Sequence, residues 1–197
     1  MQVISSWLNL QARTSEIPAV KAALLEADSK VQAMALVHQM LYQGHDLSMV
    51  SLADYLRELS DQLLDAQGAG DRGIVAEFDM ESVHVDFETA LPCGFIVSEL
   101  ITNSLKHAFP EGRGGKIRIA LHRIEAGQIA LRFADDGIGF HADGVDGALP
   151  SSEGFGLETI KALGEGQLGG SEHFETEGGF AFSLLFRDSC PGELSRK

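Results

Sequence analysis

Glu99-Leu100-Ile101-Thr102-Asn103-Ser104-Leu105-Lys106-His107-Ala108-Phe109 is the stretch on which the reading of this chain turns. It falls inside a helix predicted over Leu91 to Phe109, and Glu99, Asn103, Lys106 and His107 stand at i, i+4, i+7 and i+8 of it. That spacing projects all four from one face. A polar face on an otherwise apolar helix needs a partner. The Asn103 amide oxygen suits Mg²⁺, which takes oxygen ligands and keeps waters and phosphate oxygens. Lys106 can neutralise a phosphate, and Glu99 can accept a hydrogen bond from a metal-bound or attacking oxygen. Standing alone, the same four residues would read as a solvated helix face.

Two further stretches bear on the choice. Asp135-Asp136-Gly137-Ile138-Gly139 follows a strand ending near Ala134, which holds a carboxylate at a sheet edge beside glycines that let a flat ligand approach the backbone. Such a carboxylate can accept the exocyclic amine of adenine; a tight glycine turn is the plainer reading. Gly154-Phe155-Gly156-Leu157 then opens a helix, where free amides and the helix dipole favour phosphate. Between them, 140–153 is rich in Gly, Asp and Ser, too polar for a core and suited to a lid.

Outward from these motifs, Ile117, Ile119 and Leu121 alternate with polar or small residues. Ile129, Leu131 and Phe133 do the same after a turn at Gly127, which predicts half-buried antiparallel strands. Short strands are also expected over Ile74 to Phe78, Val83 to Val85, Ser171 to Glu175 and Phe180 to Phe186. Ser51 with Asp54 resembles a capping box ahead of the apolar stripe Leu52, Tyr55, Leu56, Leu59 and Leu63. Towards the N-terminus, Val3, Trp7 and Leu10 share one helical face. After Pro18, the residues Val20, Leu24, Ala27, Val31, Met34, His38 and Leu41 alternate steps of four and three, a heptad seam. Two such helices cannot bury both faces alone, so a hairpin pairing with a second copy is expected, with His38 packed in the seam and a helix stop at Gly44.

Composition narrows the classes. With 197 residues and 44% hydrophobic content the chain can bury a sizeable core. No apolar run approaches the roughly 20 residues of a membrane span, and no signal peptide opens the chain, so a cytoplasmic fragment is expected. A formal charge of −14 removes the driving term for non-specific nucleic-acid binding. Cys93 and Cys190 are far apart and lack zinc-ligand spacing.

The three motifs in this order and context resemble the N, G1 and G2 boxes of the ATPase superfamily shared by gyrase, the Hsp90 chaperones, mismatch-repair ATPases and histidine kinases. QVISSWLNLQ at Gln2 to Gln11, MALVHQMLYQGHDLS at Met34 to Ser48 and ELITNSLKHAFPEG at Glu99 to Gly112 look like the histidine kinases whose dimerisation helices begin with an HRxKNNLQ-type segment. The resemblance implies an α+β fold. An N-terminal antiparallel helical hairpin would precede an α/β two-layer sandwich with a mixed, largely antiparallel sheet, the Bergerat-type ATP-binding fold. It divides the chain into a dimerisation and phosphotransfer segment at 1–48, an ATP-binding domain at 49–190 and a tail at 191–197.

By position, Asp135 would bind adenine, Gly137 and Gly139 would shape its pocket, and Asn103 would hold Mg²⁺ with Glu99 beside it as the catalytic pair. Lys106 and His107 would lie near the phosphates, and Gly154, Gly156 and Leu157 would form the lid hinge. The implied reaction moves the ATP γ-phosphate to a histidine and then to an aspartate of a response-regulator receiver domain, within a homodimer. Three departures stand out. The acceptor histidine would lie before Gln2, so the chain as given is expected not to phosphorylate itself. Gly179-Phe180 replaces a usual Gly-Thr pair, and 162–170 is one residue long against the pattern, with Gly164 and Gly166 each costing about 1 kcal/mol in a helix. A non-catalytic adaptor with a kinase-like fold, which binds the regulator without turning over ATP, is the alternative. An ATPase using Glu99 as base fits the helical segments before Ser51 less well.

Overall fold

In the computed structural model, residues 2–43, 48–124, 127–139, 155–176 and 178–187 are described. The expected stop at Gly44, the lid at 140–153 with Gly154, and the tail at 191–197 lie outside them. The first two helices, α1 (Gln2–Thr14) and α2 (Pro18–Gln43), fold back on each other as a hairpin. The buried Asp28 joins them: its Oδ2 accepts from Asn9 Nδ2 at 2.8 Å and from Gln32 Nε2 at 2.7 Å.

The heptad stripe is not what α2 buries within the chain. Ala33, Leu36 and Val37 are buried towards α3 (Leu52–Ala66) and α4 (Phe87–Asn103), whereas Val20 and Met34 are exposed and Leu24, Ala27, Val31 and Leu41 half-buried. His38, expected inside the seam, is exposed and lies against Tyr42, ring centroids 4.7 Å apart. A 26-residue helix has room for two apolar stripes, and the chain covers the one that the spacing did not single out.

Ahead of α3 comes the two-residue strand β1 (Val50–Ser51). Ser51 caps α3 as the sequence predicts, its Oγ accepting from the Asp54 amide at 3.4 Å, and Leu52, Tyr55, Leu56, Leu59 and Leu63 are all buried. Then follow β2 (Ile74–Met80), β3 (His84–Val85) and α4, which starts earlier than predicted because Asp86 caps it by accepting from the Thr89 amide at 2.8 Å. The remaining elements are β4 (Gly115–Ile124), β5 (Gln128–Asp135), α5 (Phe155–Lys161), β6 (Ser171–Glu175) and β7 (Phe180–Arg187).

The main sheet runs β2-β4-β5-β7-β6. β2 is parallel to β4, with α4 in the connection, and every other pair is antiparallel, giving the mixed, largely antiparallel sheet expected. β3 stays out of it and pairs with β1, tying the residues after the hairpin to the second layer. Ile117, Ile119, Leu121, Ile129, Leu131, Phe133, Phe182, Leu184 and Phe186 bury the inner face against α3 and α4 in one core. Tyr55 is where three helices meet. Its hydroxyl donates to the Ala33 carbonyl of α2 at 3.1 Å, and its ring lies where a Cβ on Gly94 would stand, 2.0 Å from the hydroxyl oxygen.

Two helices end in wider turns: α4 continues as a π-helical turn over Ser104–Ala108, and α5 as another over Ala162–Gln167. A π turn takes up one extra residue without breaking the helix, which is how the long segment 162–170 fits. In it, Gly164 leaves the space that the Glu172 carboxylate of β6 fills; a Cβ there would stand 2.0 Å from Oε1. Both Glu172 oxygens are buried without a hydrogen-bond partner among the described residues. Burial, helped by the Glu165 charge and opposed by Lys161, pushes the Glu172 carboxyl up to about 7.

Because that value lies above the roughly 4.3 of an unfolded glutamate, the neutral form favours the fold. Stability from this site is full below the unfolded value and is lost as pH rises through about 7. Glu172→Gln should therefore raise the melting temperature at about pH 8 and leave it nearly unchanged at about pH 4.5. Thermal scans showing the same shift at both pH values would remove the carboxyl charge as the cause.

Candidate nucleotide-binding site

A cleft of about 410 Å³, open to solvent, lies between the end of α4, the end of β5 and the start of α5. Its walls include Leu100, Asn103, Ser104, His107 and Ala108 from α4 and its π turn, Asp135 at the end of β5 and Gly139 after it, Leu157 of α5 and Phe180 of β7.

Asp135 is buried at the end of β5, the central strand of the sheet and paired on both sides, where the sequence leads one to expect a sheet edge. Its Oδ2 accepts from Ser104 Oγ at 2.6 Å; its Oδ1 accepts from the Gly137 amide at 3.0 Å and the Phe180 amide at 3.4 Å. Each carboxylate oxygen can accept more than one hydrogen bond, so Oδ2 keeps capacity for a ligand donor. The glycines around it are there for closeness. A Cβ on Gly137 would stand 2.4 Å from the Ala108 Cβ, and the Ile138 amide donates to the Ala108 carbonyl at 3.0 Å, docking the turn on α4's end. Gly139 has φ +71°, and Gly179, at φ +130°, lies where a Cβ would come 2.1 Å from the Asp135 carbonyl oxygen. Phe180 contributes its amide to Asp135 and an apolar wall to the cleft.

Glu99 and Asn103 come together with Gly156. A Cβ on Gly156 would stand 3.1 Å from Glu99 Oε2 and 3.3 Å from Asn103 Nδ2. Glu99 is buried, and its Oε1 lies 3.5 Å from Lys30 Nζ of α2. Burial raises the Glu99 carboxyl above its usual range, with the Glu26 charge adding to this and Lys30 and Lys106 opposing it. His107 lines the cleft, and burial, helped by Lys106, lowers its pKa. The π turn widens the helix after Asn103, and Lys106 is exposed, outside the cleft walls, although its charge acts on both Glu99 and His107.

No three His, Cys, Asp or Glu residues among those described cluster tightly enough to hold a metal. A metal here would have to arrive with its own oxygens. One amide oxygen from Asn103 and a carboxylate from Glu99 fit Mg²⁺, which keeps waters and phosphate oxygens.

Ser104, Leu100 and Ala108 carry no sign of a site role in the sequence; Phe180 does, through the Gly179-Phe180 pair, but not as an amide donor to Asp135. Ser104 sits beside Asn103 in the quoted stretch, but its partner lies 31 residues away, and nothing local marks a helix serine as a donor to it. Ser104→Ala removes a hydroxyl from a buried charged acceptor, worth about 1.5 to 3 kcal/mol. Urea unfolding should show a loss of that order; an unchanged midpoint would mean that another donor takes its place.

Residues 88–189, just over half of the chain, match the family described as histidine kinase-, DNA gyrase B- and HSP90-like ATPase, and residues 1–67 match a histidine kinase family. The blue-light-activated histidine kinase 2 of Erythrobacter litoralis is 27% identical over 187 residues, covering 91% of this chain and 50% of its own length. The sensor histidine kinase PdtaS of Mycobacterium tuberculosis is 28% identical over 172 residues, 87% of this chain and 33% of that protein. The chain thus spans half the length of the first relative and a third of the second. Among solved structures, a histidine kinase domain from Erythrobacter litoralis superposes with a TM-score of 0.67 at 22% identity, over 95% of this chain and 85% of that one, a likeness of fold. The chain belongs to the histidine kinase family, joining that family's dimerisation segment to an ATPase domain of the gyrase and HSP90 kind.

Proposed function

We propose that this chain is the core of a two-component sensor histidine kinase. It would bind Mg·ATP, direct the γ-phosphoryl group to a histidine with release of ADP, and support its onward transfer to an aspartate of a response-regulator receiver domain. The observation that carries this reading is the buried Asp135 carboxylate. It is held by Ser104, Gly137 and Phe180 in the wall of a cleft that Asn103 also lines, with Glu99 beside Asn103 at Gly156 near the start of a helix. A charged acceptor at one end and an oxygen pair beside helix amides at the other match the two ends of a nucleotide.

In this reading Asp135 accepts the adenine amine, and Gly137 and Gly139 leave room for the ring. Asn103 turns its amide oxygen to Mg²⁺, Glu99 orients the oxygens around it, and His107 lies along the phosphate path. Gly154, Gly156 and Leu157 act as the hinge of the lid, and Lys106 serves as an outer charge near the phosphates. ATP supplies the phosphoryl group and the metal neutralises its charge, so the chain's own part is positioning and electrostatics. We place the domain boundary near residue 48, since the β1–β3 pairing attaches Val50 to the second layer, with 49–190 as the ATP-binding domain and 191–197 as a tail.

The hairpin supports pairing of two copies. Val3, Trp7 and Leu10 are 82%, 59% and 57% exposed, and with Val20 and Met34 they leave an apolar surface that a solvated hairpin would not keep. No helix of the described residues is long and apolar enough to cross a membrane, and a cytoplasmic setting fits the substrate.

Calorimetry tests the site. Asp135→Asn should weaken Mg·ADP binding by about 1.5 to 3 kcal/mol, the weight of a charged acceptor; equal affinities would remove Asp135 from the adenine pocket. Light scattering tests the pairing. The unmutated chain should be a dimer and the Leu24→Glu, Val31→Glu double variant a monomer, because unpaired carboxylates would be buried in the seam. A monomeric parent chain would overturn it.

A further inference from the structure

Lys30 lies between two carboxylates. Its ammonium is 2.5 Å from Glu26 Oε1, one turn earlier on α2, and 3.5 Å from Glu99 Oε1 on α4. Glu99's side chain is 8% exposed, and among the described residues Lys30 is the cation in ion-pair contact with it. The two oxygens of Glu99 face different ways. Oε1 faces Lys30 in the hairpin, while Oε2 faces Gly156 at the start of α5, beside the Asn103 amide. A single carboxylate therefore touches the dimerisation helix on one side and the phosphate end of the cleft on the other.

We propose that Lys30 is a positioning residue of the nucleotide site: by holding one oxygen of Glu99 from α2, it sets the other oxygen against Gly156 and Asn103, so that the hairpin's placement is felt where Mg·ATP binds. The proposal rests on reading Glu99 and Asn103 as the metal-facing pair. Its physical basis is charge balance. With Lys30 in place, one ammonium faces two carboxylates across the α2–α4 contact. Without it, Glu26 and Glu99 would repel each other there, and the Glu99 side chain would lose the contact that fixes its rotamer. The adenine end is held separately by Asp135, so loss of Lys30 should be felt at the metal end alone.

The test compares ATP affinity in MgCl₂ with that in EDTA, by calorimetry on the full chain. Lys30→Met should reduce the gain in affinity on adding magnesium by about threefold to fivefold, the range of a partly exposed ion pair, and leave the EDTA value within about twofold. Lys30→Arg should restore most of the gain. Glu26→Gln removes the competing carboxylate and should keep the gain at or above that of the parent chain. An unchanged magnesium gain in Lys30→Met would overturn the proposal, as would an equal fall in MgCl₂ and EDTA, which marks a merely structural role. Where Lys30→Met fails to fold, Glu26→Gln and Lys30→Arg decide, and a gain reduced in both overturns the proposal. A parent chain that binds ATP in neither buffer would instead sink the nucleotide reading on which it rests.

Discussion

A carboxylate buried at the end of a central strand must have donors around it, because an unpaired buried charge costs several kcal/mol. Asp135 has three, from three different elements: the Ser104 hydroxyl from the end of α4, the Gly137 amide from the turn after β5, and the Phe180 amide from the start of β7. Satisfying that group fixes the relative positions of the helix and two strands. It also accounts for the glycines. The turn after β5 reaches Ala108 only with hydrogen at Gly137, and β7 starts close enough to Asp135 only with Gly179 at φ +130°.

Both α4 and α5 end in widened turns. The π turn at Ser104–Ala108 presents Ser104 to Asp135 and His107 to the cleft while leaving Lys106 in solvent. The π turn at Ala162–Gln167 absorbs an extra residue behind α5 and opens a gap at Gly164 that Glu172 fills. Widened turns lose regular hydrogen bonding, and the one at Ser104–Ala108, which lines the cleft, agrees with their frequent placement at functional sites.

The hairpin is joined to this assembly by the buried face of Ala33, Leu36 and Val37 and by two specific polar contacts. Tyr55 reaches the Ala33 carbonyl through the space left by Gly94, and Lys30 reaches Glu99. An alanine at Gly94 would gain helix propensity yet collide with a fully buried ring, so the glycine is kept for packing. Both contacts land on α3 or α4, and α4 lines the cleft.

The sequence by itself determined the elements and most of the cleft. Alternation in β4 and β5, the Ser51 cap, the helix containing Glu99 and Asn103, and the glycine turn after Asp135 are all set by local periodicity and local backbone demands, so they could be read from residues a few positions apart. The order of the three motifs then indicated the family. Only the tertiary structure decided what depends on residues far apart in the chain. Ser104 and Phe180 became donors to Asp135, β3 paired with β1 instead of the main sheet, Lys106 stayed exposed outside the cleft walls, and α2 buried Ala33, Leu36 and Val37 in preference to its heptad stripe. In each case the deciding term is the satisfaction of a buried polar group or the packing of one helix on another, and neither leaves a periodic mark on the sequence.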